Sequence, residues 1–336
     1  MTAAEILARL DSAFKSITVT DLGDSVLQPT KFDQFIRTAQ NKTTVLPEAR
    51  FVKMLAQQAD VDRVGFTGRI LKSGYAVDGT EQDAVLATHE SKPTFATNKL
   101  IAKEMFALAS IKDTTLRRNI EKEGFESTLV DLFGEAAGRD YEEFALLADV
   151  SITYANDDVL HQTDGWLAKA GSKLYGTAGP GGAAQFDIAA ETYPENLFGL
   201  MLDTLPKQYL GDIRDWRYYV NWATYSAYRN LLKARGTDLG DRAVYENIPL
   251  LFEGISIRYC PLLERSKTVV AGGKGRPALL VNPDNMAWGI FHEITIEPDR
   301  IPKGRRTDFV LTLEGDVHYE DEDAAVAAYY DVPRPA

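Results

Sequence analysis

The sequence predicts an α+β protein, and three observations carry the prediction. Between Leu129 and Ala148 apolar residues recur every three to four positions, the spacing of a long amphipathic helix. From Gly254 onward the period falls to two, in the stretches Ile255, Ile257 and Tyr259, then Ala278 to Val281, then Ile294 and Ile296, then Phe309, Leu311 and Leu313. Helical segments precede this run of strands instead of alternating with it, which points to segregated helices and sheets and away from a parallel α/β fold.

The N-terminus opens on a capping box, Thr2 with Glu5, followed by Ile6, Leu7, Leu10 and Phe14 on one helical face. From Asp21 to Arg50 the apolar residues become sparse and irregular, so this stretch reads as an arm that needs another surface. Asp62 to Lys72 alternates, with Val64, Phe66 and Ile70 on one side and Arg63, Thr67 and Arg69 on the other, and Lys92 to Ala102 is its expected return strand. The connection Ser73 to Ser91 carries Gly74, Asp78, Gly79, Glu81, Asp83 and Glu90 with few large apolar groups, the tip of a long hairpin expected to be mobile or to reach a partner.

Asp113 caps a helix expected to run through Lys122. After Gly124 the longest helix begins at Phe125, with Leu129, Leu132, Phe133, Ala136, Ala137, Tyr141, Phe144 and Ala148 inward. Its other face, Glu126, Asp131, Glu135, Asp140, Glu142 and Glu143 against Arg139 alone, is expected to be solvated and acidic. A change of texture near residue 150 suggests a domain boundary. Pro194 and Asn196 start a helix that Pro206 stops, and Trp216 to Lys233 has helical period with Val220, Ala223, Ala227 and Leu231 inward.

The chain has 336 residues, long enough for a sizeable core, with 45% apolar and 26% charged residues, an ordinary globular balance. A net charge of −12 and a pI near 4.9 disfavour a nucleic-acid-reading module. The single cysteine, Cys260, allows no internal disulfide, the first residues lack a signal-peptide pattern, and no apolar run is long enough to span a bilayer.

Chemical motifs are thin. Gly176-Thr177-Ala178-Gly179-Pro180-Gly181-Gly182 loses an amide donor at Pro180 and reads as a loop; Gly272-Gly273-Lys274-Gly275 lacks the Ser or Thr of a P-loop and reads as a turn. His89, His161, His292 and His318 are widely spaced, Asp157, Asp158 and Asp164 do not follow the calcium-loop pattern, and Cys260 reads as a small buried residue. The aromatic run Trp216, Tyr218, Tyr219, Trp222, Tyr225 and Tyr228 reads as core and subunit contact before it reads as a stacking platform. No catalytic, cofactor-binding or metal-ligating residue is therefore assigned.

The order of segments, an arm, a long hairpin, a long helix and then a helical and stranded body, resembles the major capsid proteins of tailed bacteriophages with the HK97-like fold. The phrases that carry the likeness are DQFIRTAQNKTTVLPEARFVKM (33–54), FGLMLDTLPKQYLGDIRDWRYYVNWATYSAYRNLL (198–232) and PALLVNPDNMAWGIFHEITIE (277–297). Within them stand Leu205-Pro206, Tyr219-Val220-Asn221, and Asn282-Pro283 with Asn285 and Gly289.

The resemblance implies an N-terminal arm over 1–61, an E-loop hairpin over 62–102, a first part of the P-domain with its spine helix over 103–153, an A-domain over 154–286, and returning P-domain strands with the C-terminus over 287–336. It implies a structural protein and not an enzyme, which assembles with itself into the hexamers and pentamers of an icosahedral shell around phage double-stranded DNA. A separate scaffolding protein is expected, because the chain lacks the long cleavable N-terminal extension of some members; the resemblance also implies a portal during assembly and leaves room for a decoration protein. The expected location is the virion, after assembly in the bacterial cytoplasm, with no membrane contact and no cofactor. An encapsulin-like shell is the alternative of the same fold, and a carboxylate-based hydrolase the alternative of another class.

Overall fold

In the computed structural model the described residues are 43–66, 70, 71, 73, 93–112, 125–151, 159–177, 182–234, 249–264 and 276–333. The expected N-terminal helix and most of the arm, the hairpin tip, the helix from Asp113 and the Gly272–Gly275 turn lie outside them. The mixture of helices and sheets is α+β, as the periods predict. The chain divides into two units, one containing 103–141 and 290–315, the other 44–102, 142–289 and 316–336.

In the first unit strand β4 (Lys103–Lys112) pairs antiparallel with β11 (Arg306–Tyr319), from Arg306 opposite Lys112 to Gly315 opposite Lys103. Alternation decides the faces: Met105 lies opposite Leu313 on the buried side, while Phe106 and Leu108 point outward. On its other side β11 borders β10 (Met286–Ile301). This unit also holds most of the long helix α1 (Phe125–Leu147), which starts where the sequence predicts. Gly134, Gly138 and Tyr141 are buried, whereas Leu132, expected on the inward stripe, is exposed. At about 100° per residue Leu132 stands about half a turn away from Tyr141, so the two cannot share one face.

The second unit is built on a six-stranded mixed sheet in the order β5-β12-β9-β6-β8-β7. Its strands are β5 (Ser172–Thr177), β6 (Arg217–Val220), β7 (Leu251–Phe252), β8 (Ile255–Tyr259), β9 (Arg276–Val281) and β12 (Ala325–Pro333). The last of these is parallel to β5 and antiparallel to β9, and Ala325, Val326, Ala327 and Ala328 are fully buried, the continuous apolar run of a strand covered on both faces. Helix α3 (Glu195–Thr204) contributes Leu197, Phe198, Met201 and Leu202 to the core beside Tyr218, Leu280 and Tyr330, and helix α4 (Trp222–Ala234) adds Tyr228; the short α2 (Trp166–Lys169) precedes β5.

One correction falls here. Residues 217–220 are strand β6, not helix, and Asn221 then caps α4 by accepting from the Thr224 N–H at 2.9 Å. The aromatic run thus spans both elements: Tyr218 and Tyr219 alternate with neighbours in a strand, and the helical period begins only after the cap.

The expected hairpin forms in this unit from β2 (Gln58–Phe66) and β3 (Pro93–Ile101), paired from Gln58 opposite Ile101 to Phe66 opposite Pro93. Val61 and Leu100 are buried at its base, while Asp60, Asp62, Thr97 and Lys99 face outward. The short strand β1 (Arg50–Lys53) borders β10.

Candidate functional site

Two anchored junctions stand out in the second unit, one at residues 44–46 and one at the root of the hairpin. At the first, Thr44, Val45 and Leu46 direct consecutive backbone N–H groups at the carboxylate of Glu142, with the closest approaches 2.9, 3.1 and 3.3 Å. Glu142 is buried, as is Glu143, so the sequence reading of both as a solvated acidic face is wrong. The last turn of α1 is covered all round, with Phe144, Ala145 and Leu146 fully buried, and the backbone amides offset the cost of burying a carboxylate there. Arg139 and Asp140, one turn earlier, are exposed as expected.

Two further ties fix the same turn. Glu48 accepts from the Tyr219 hydroxyl and lies 3.6 Å from the Arg258 guanidinium. Cys260 Sγ is 4.0 Å from Glu142 Oε1. Burial, and secondarily the Glu142 charge, push the Cys260 thiol up to about 12, so it remains a weak neutral donor and not a nucleophile.

At the hairpin root, Asn98 Nδ2 donates to the carbonyls of Tyr319 and Glu320, at 2.8 and 3.0 Å. The buried Asp316 accepts from the Ile101 N–H at 2.8 Å with one oxygen and from the Val317 N–H at 2.8 Å with the other. Lys169 reaches the same place from α2, 3.8 Å from Asp316 and donating to the Val317 carbonyl at 2.6 Å. Burial lowers the Lys169 pKa while Asp316 opposes the shift. Ala102 N–H donates to the Gln57 carbonyl at 2.9 Å and closes the base of the hairpin.

The NP turn has an equally structural explanation. Asn282 caps it by accepting from Asp284 N–H at 3.1 Å, and Asn285 clips a second loop, donating to the Asp321 carbonyl and accepting from the Asp321 N–H, both at 2.8 Å. At Gly289 a Cβ would meet Met54 sulfur at 2.9 Å and Leu100 Cδ1 at 3.3 Å, so a larger residue would have to displace these side chains beneath the hairpin. Among the described residues no group of three or more His, Cys, Asp or Glu is arranged to hold a metal ion, and no helix is long and apolar enough to cross a membrane.

No family model matches the chain. It is 29% identical over 304 residues to YqbE of Bacillus subtilis (strain 168), assigned as a prophage capsid protein, a match covering 89% of this chain and 90% of that one. Its fold matches the satellite phage P4 procapsid with a TM-score of 0.63 at 15% identity, over 98% of this chain and 97% of that one. The capsid of an empty GTA particle matches at 0.56 and 15% identity over 86% and 90%, and the cyanophage P-SCSP1u capsid at 0.55 and 15% over 86% and 88%. The fold is the HK97-like fold of phage capsids, and the sequence is similar to that of a prophage capsid protein.

The motif residues that carried the resemblance all have structural roles in this fold. Leu205 is fully buried at the end of α3 ahead of Pro206, Tyr219 and Val220 are buried in β6, Asn221 is a helix cap, and Asn282, Asn285 and Gly289 build one turn and the space beneath the hairpin. Of the junction residues, Asp316 and Asn98 were not singled out from sequence, and Glu142 was read only as part of a solvated acidic face. The EEFALL segment that ends α1 held the one available signal: two carboxylates at the edge of an apolar stretch in which little other polar surface exists. Cys260 is buried as its neighbours indicated. Most of the aromatic run is core, but Trp222 is half exposed and stacks on Tyr225 with ring centroids 5.8 Å apart.

Proposed function

We propose that this chain is a phage capsid protein, the major subunit of an icosahedral head, forming the hexamers and pentamers of a shell around double-stranded DNA. The observation that carries the reading is the exposed apolar surface on the hairpin and on β4. Phe95 is 70% exposed, Phe106 75%, Leu108 61%, and Leu55 beside the hairpin root 91%. Side chains of this size on anchored strands are expected to be covered by other copies, and such surface marks interaction sites in soluble proteins. The hairpin is tied at its base by Asn98 and Asp316, so it offers this surface from a rigid root.

On this reading the arm is 1–61, the E-loop hairpin 62–102, the first part of the P-domain 103–153, the A-domain 154–286, and the returning P-domain strands with the C-terminus 287–336. A scaffolding protein and a portal act during assembly in the bacterial cytoplasm, a decoration protein joins the shell, and the subunit catalyses no reaction. With a charge of −12 the protein confines the duplex rather than binding it. Rate-zonal sedimentation of the purified chain tests the proposal. A particle of many megadaltons is expected, and a monomer or dimer under every condition, with or without scaffold, overturns it.

A further inference from the structure

His318 lies beside the carbonyl that holds the hairpin. Its Nδ1 is 3.0 Å from the Tyr319 nitrogen and also 3.0 Å from the Tyr319 oxygen, so one ring atom has both a donor and an acceptor within reach. The Tyr319 carbonyl is also where Asn98 Nδ2 of β3 is anchored, at 2.8 Å. A neutral ring with Nδ1 unprotonated accepts from the Tyr319 N–H. A protonated ring has no acceptor left and must turn its Nδ1–H to the carbonyl.

We propose that His318 is a proton-operated latch on the root of the hairpin: neutral, it accepts from the Tyr319 N–H and holds the end of β11 whose carbonyls anchor Asn98, and protonated, it loses that hydrogen bond, crowds a second donor onto the Tyr319 carbonyl and loosens the hairpin. The bistable element is the pairing of the hairpin base with the end of β11.

The charged groups around the ring set its working range. Lys169 approaches from α2 and carries like charge, with Asp164 acting in turn on Lys169. Glu322, on the turn after β11, has its carboxylate 3.6 Å from Nε2, and Asp316 lies two residues back on the same strand. Glu320, which shares in holding Asn98, is paired with Arg50 of β1. The hairpin itself brings an amide, Asn98, which does not titrate. Burial, followed by the Lys169 charge, holds His318 below its ordinary midpoint and outweighs the two carboxylates, so the latch is closed at neutral pH and opens on acidification.

The experiment is amide hydrogen exchange on the purified full chain between pH 7.5 and 5.0, corrected for the pH dependence of the chemical rate, read at residues 98–102 and at Tyr319. Wild type is expected to lose at least tenfold in protection at these amides across the range. His318→Asn, whose side-chain oxygen accepts near the position of Nδ1 and does not titrate, is expected to keep its protection throughout. An equal loss in both proteins, or no loss in wild type, overturns the proposal. If His318→Asn does not fold, Glu322→Gln serves instead. Removing that carboxylate should move the transition to lower pH, and an unmoved transition overturns the latch. Because the readout is local, it stands apart from the shell reading: a chain that never forms particles but shows the exchange pattern loses only the latter.

Discussion

A carboxylate buried against three backbone amides cannot be removed without leaving those amides unsatisfied, and Glu142 is in that position. Glu142→Ala is expected to destabilise the chain by about 2–4 kcal/mol, read as a lower urea midpoint, because it orphans buried donors and opens a void. A loss under about 0.5 kcal/mol would mean that water replaces the carboxylate freely. Gly289→Ala pushes a methyl group into the side chains of Met54 and Leu100 and is expected to cost about 1–3 kcal/mol, as overpacked sites do. Unchanged stability would show that the flexible Met54 gives way. Cys260, with its thiol pushed up to about 12, is expected to resist alkylation by iodoacetamide at pH 8 until denaturant is added, and stoichiometric labelling of the native chain would contradict its burial.

At the scale of elements, the hairpin and α1 were legible because each keeps one period over many residues. The strand β6 was not, because Arg217 to Val220 runs into the cap at Asn221 without a turn signal, so the aromatic spacing of α4 seemed to extend backward through it. Glu142 and Glu143 were misread for a related reason. Helical periodicity assigns residues to faces, but the last turn of α1 is covered on every face, and only the tertiary partners of a carboxylate decide whether it is solvated. That burial changes the charge expected to guide the hairpin of one copy against α1 of another. The stretch 126–147 sums to −5 in sequence, from six acids and Arg139, and to −3 once the buried Glu142 and Glu143 are set aside. The sequence stretch Asp62 to Lys72 carries +2, from Arg63, Arg69 and Lys72 against Asp62. With about 0–1 kcal/mol per exposed pair, Arg69→Glu is expected to slow or abolish assembly at low salt and to matter little at high salt. Normal assembly at low salt would remove charge pairing as a guide to register.

For the molecule as a whole, the resemblance rested on the order of segments and on motifs that proved to be caps, turns and buried core positions, which is why an acidic chain without a catalytic constellation could still be read. The junctions at Glu142 and Asp316 could not be read in this way, since each joins residues far apart in sequence through backbone groups that any residue would supply. The stretch Ser73 to Ser91 contains no lysine, so no amine on the hairpin tip is available to join a neighbouring copy covalently. Boiled in detergent, assembled particles are expected to release one band near the chain mass of 37.2 kDa, and a ladder that survives reduction would reveal a covalent link.

The place of β12 between β5 and β9 bears on the order of events at the ribosome. The other five strands of that sheet all precede it in the chain, so until Ala325 to Ala328 emerge, β5 lacks its neighbour and the apolar side of β9 stays open. A nascent subunit therefore keeps a gap in this sheet until translation is nearly complete. A rigid, assembly-competent surface is thus expected only once β12 has been made. A product arrested before Ala325 should accordingly be recovered with proteases and chaperones, and never in particles.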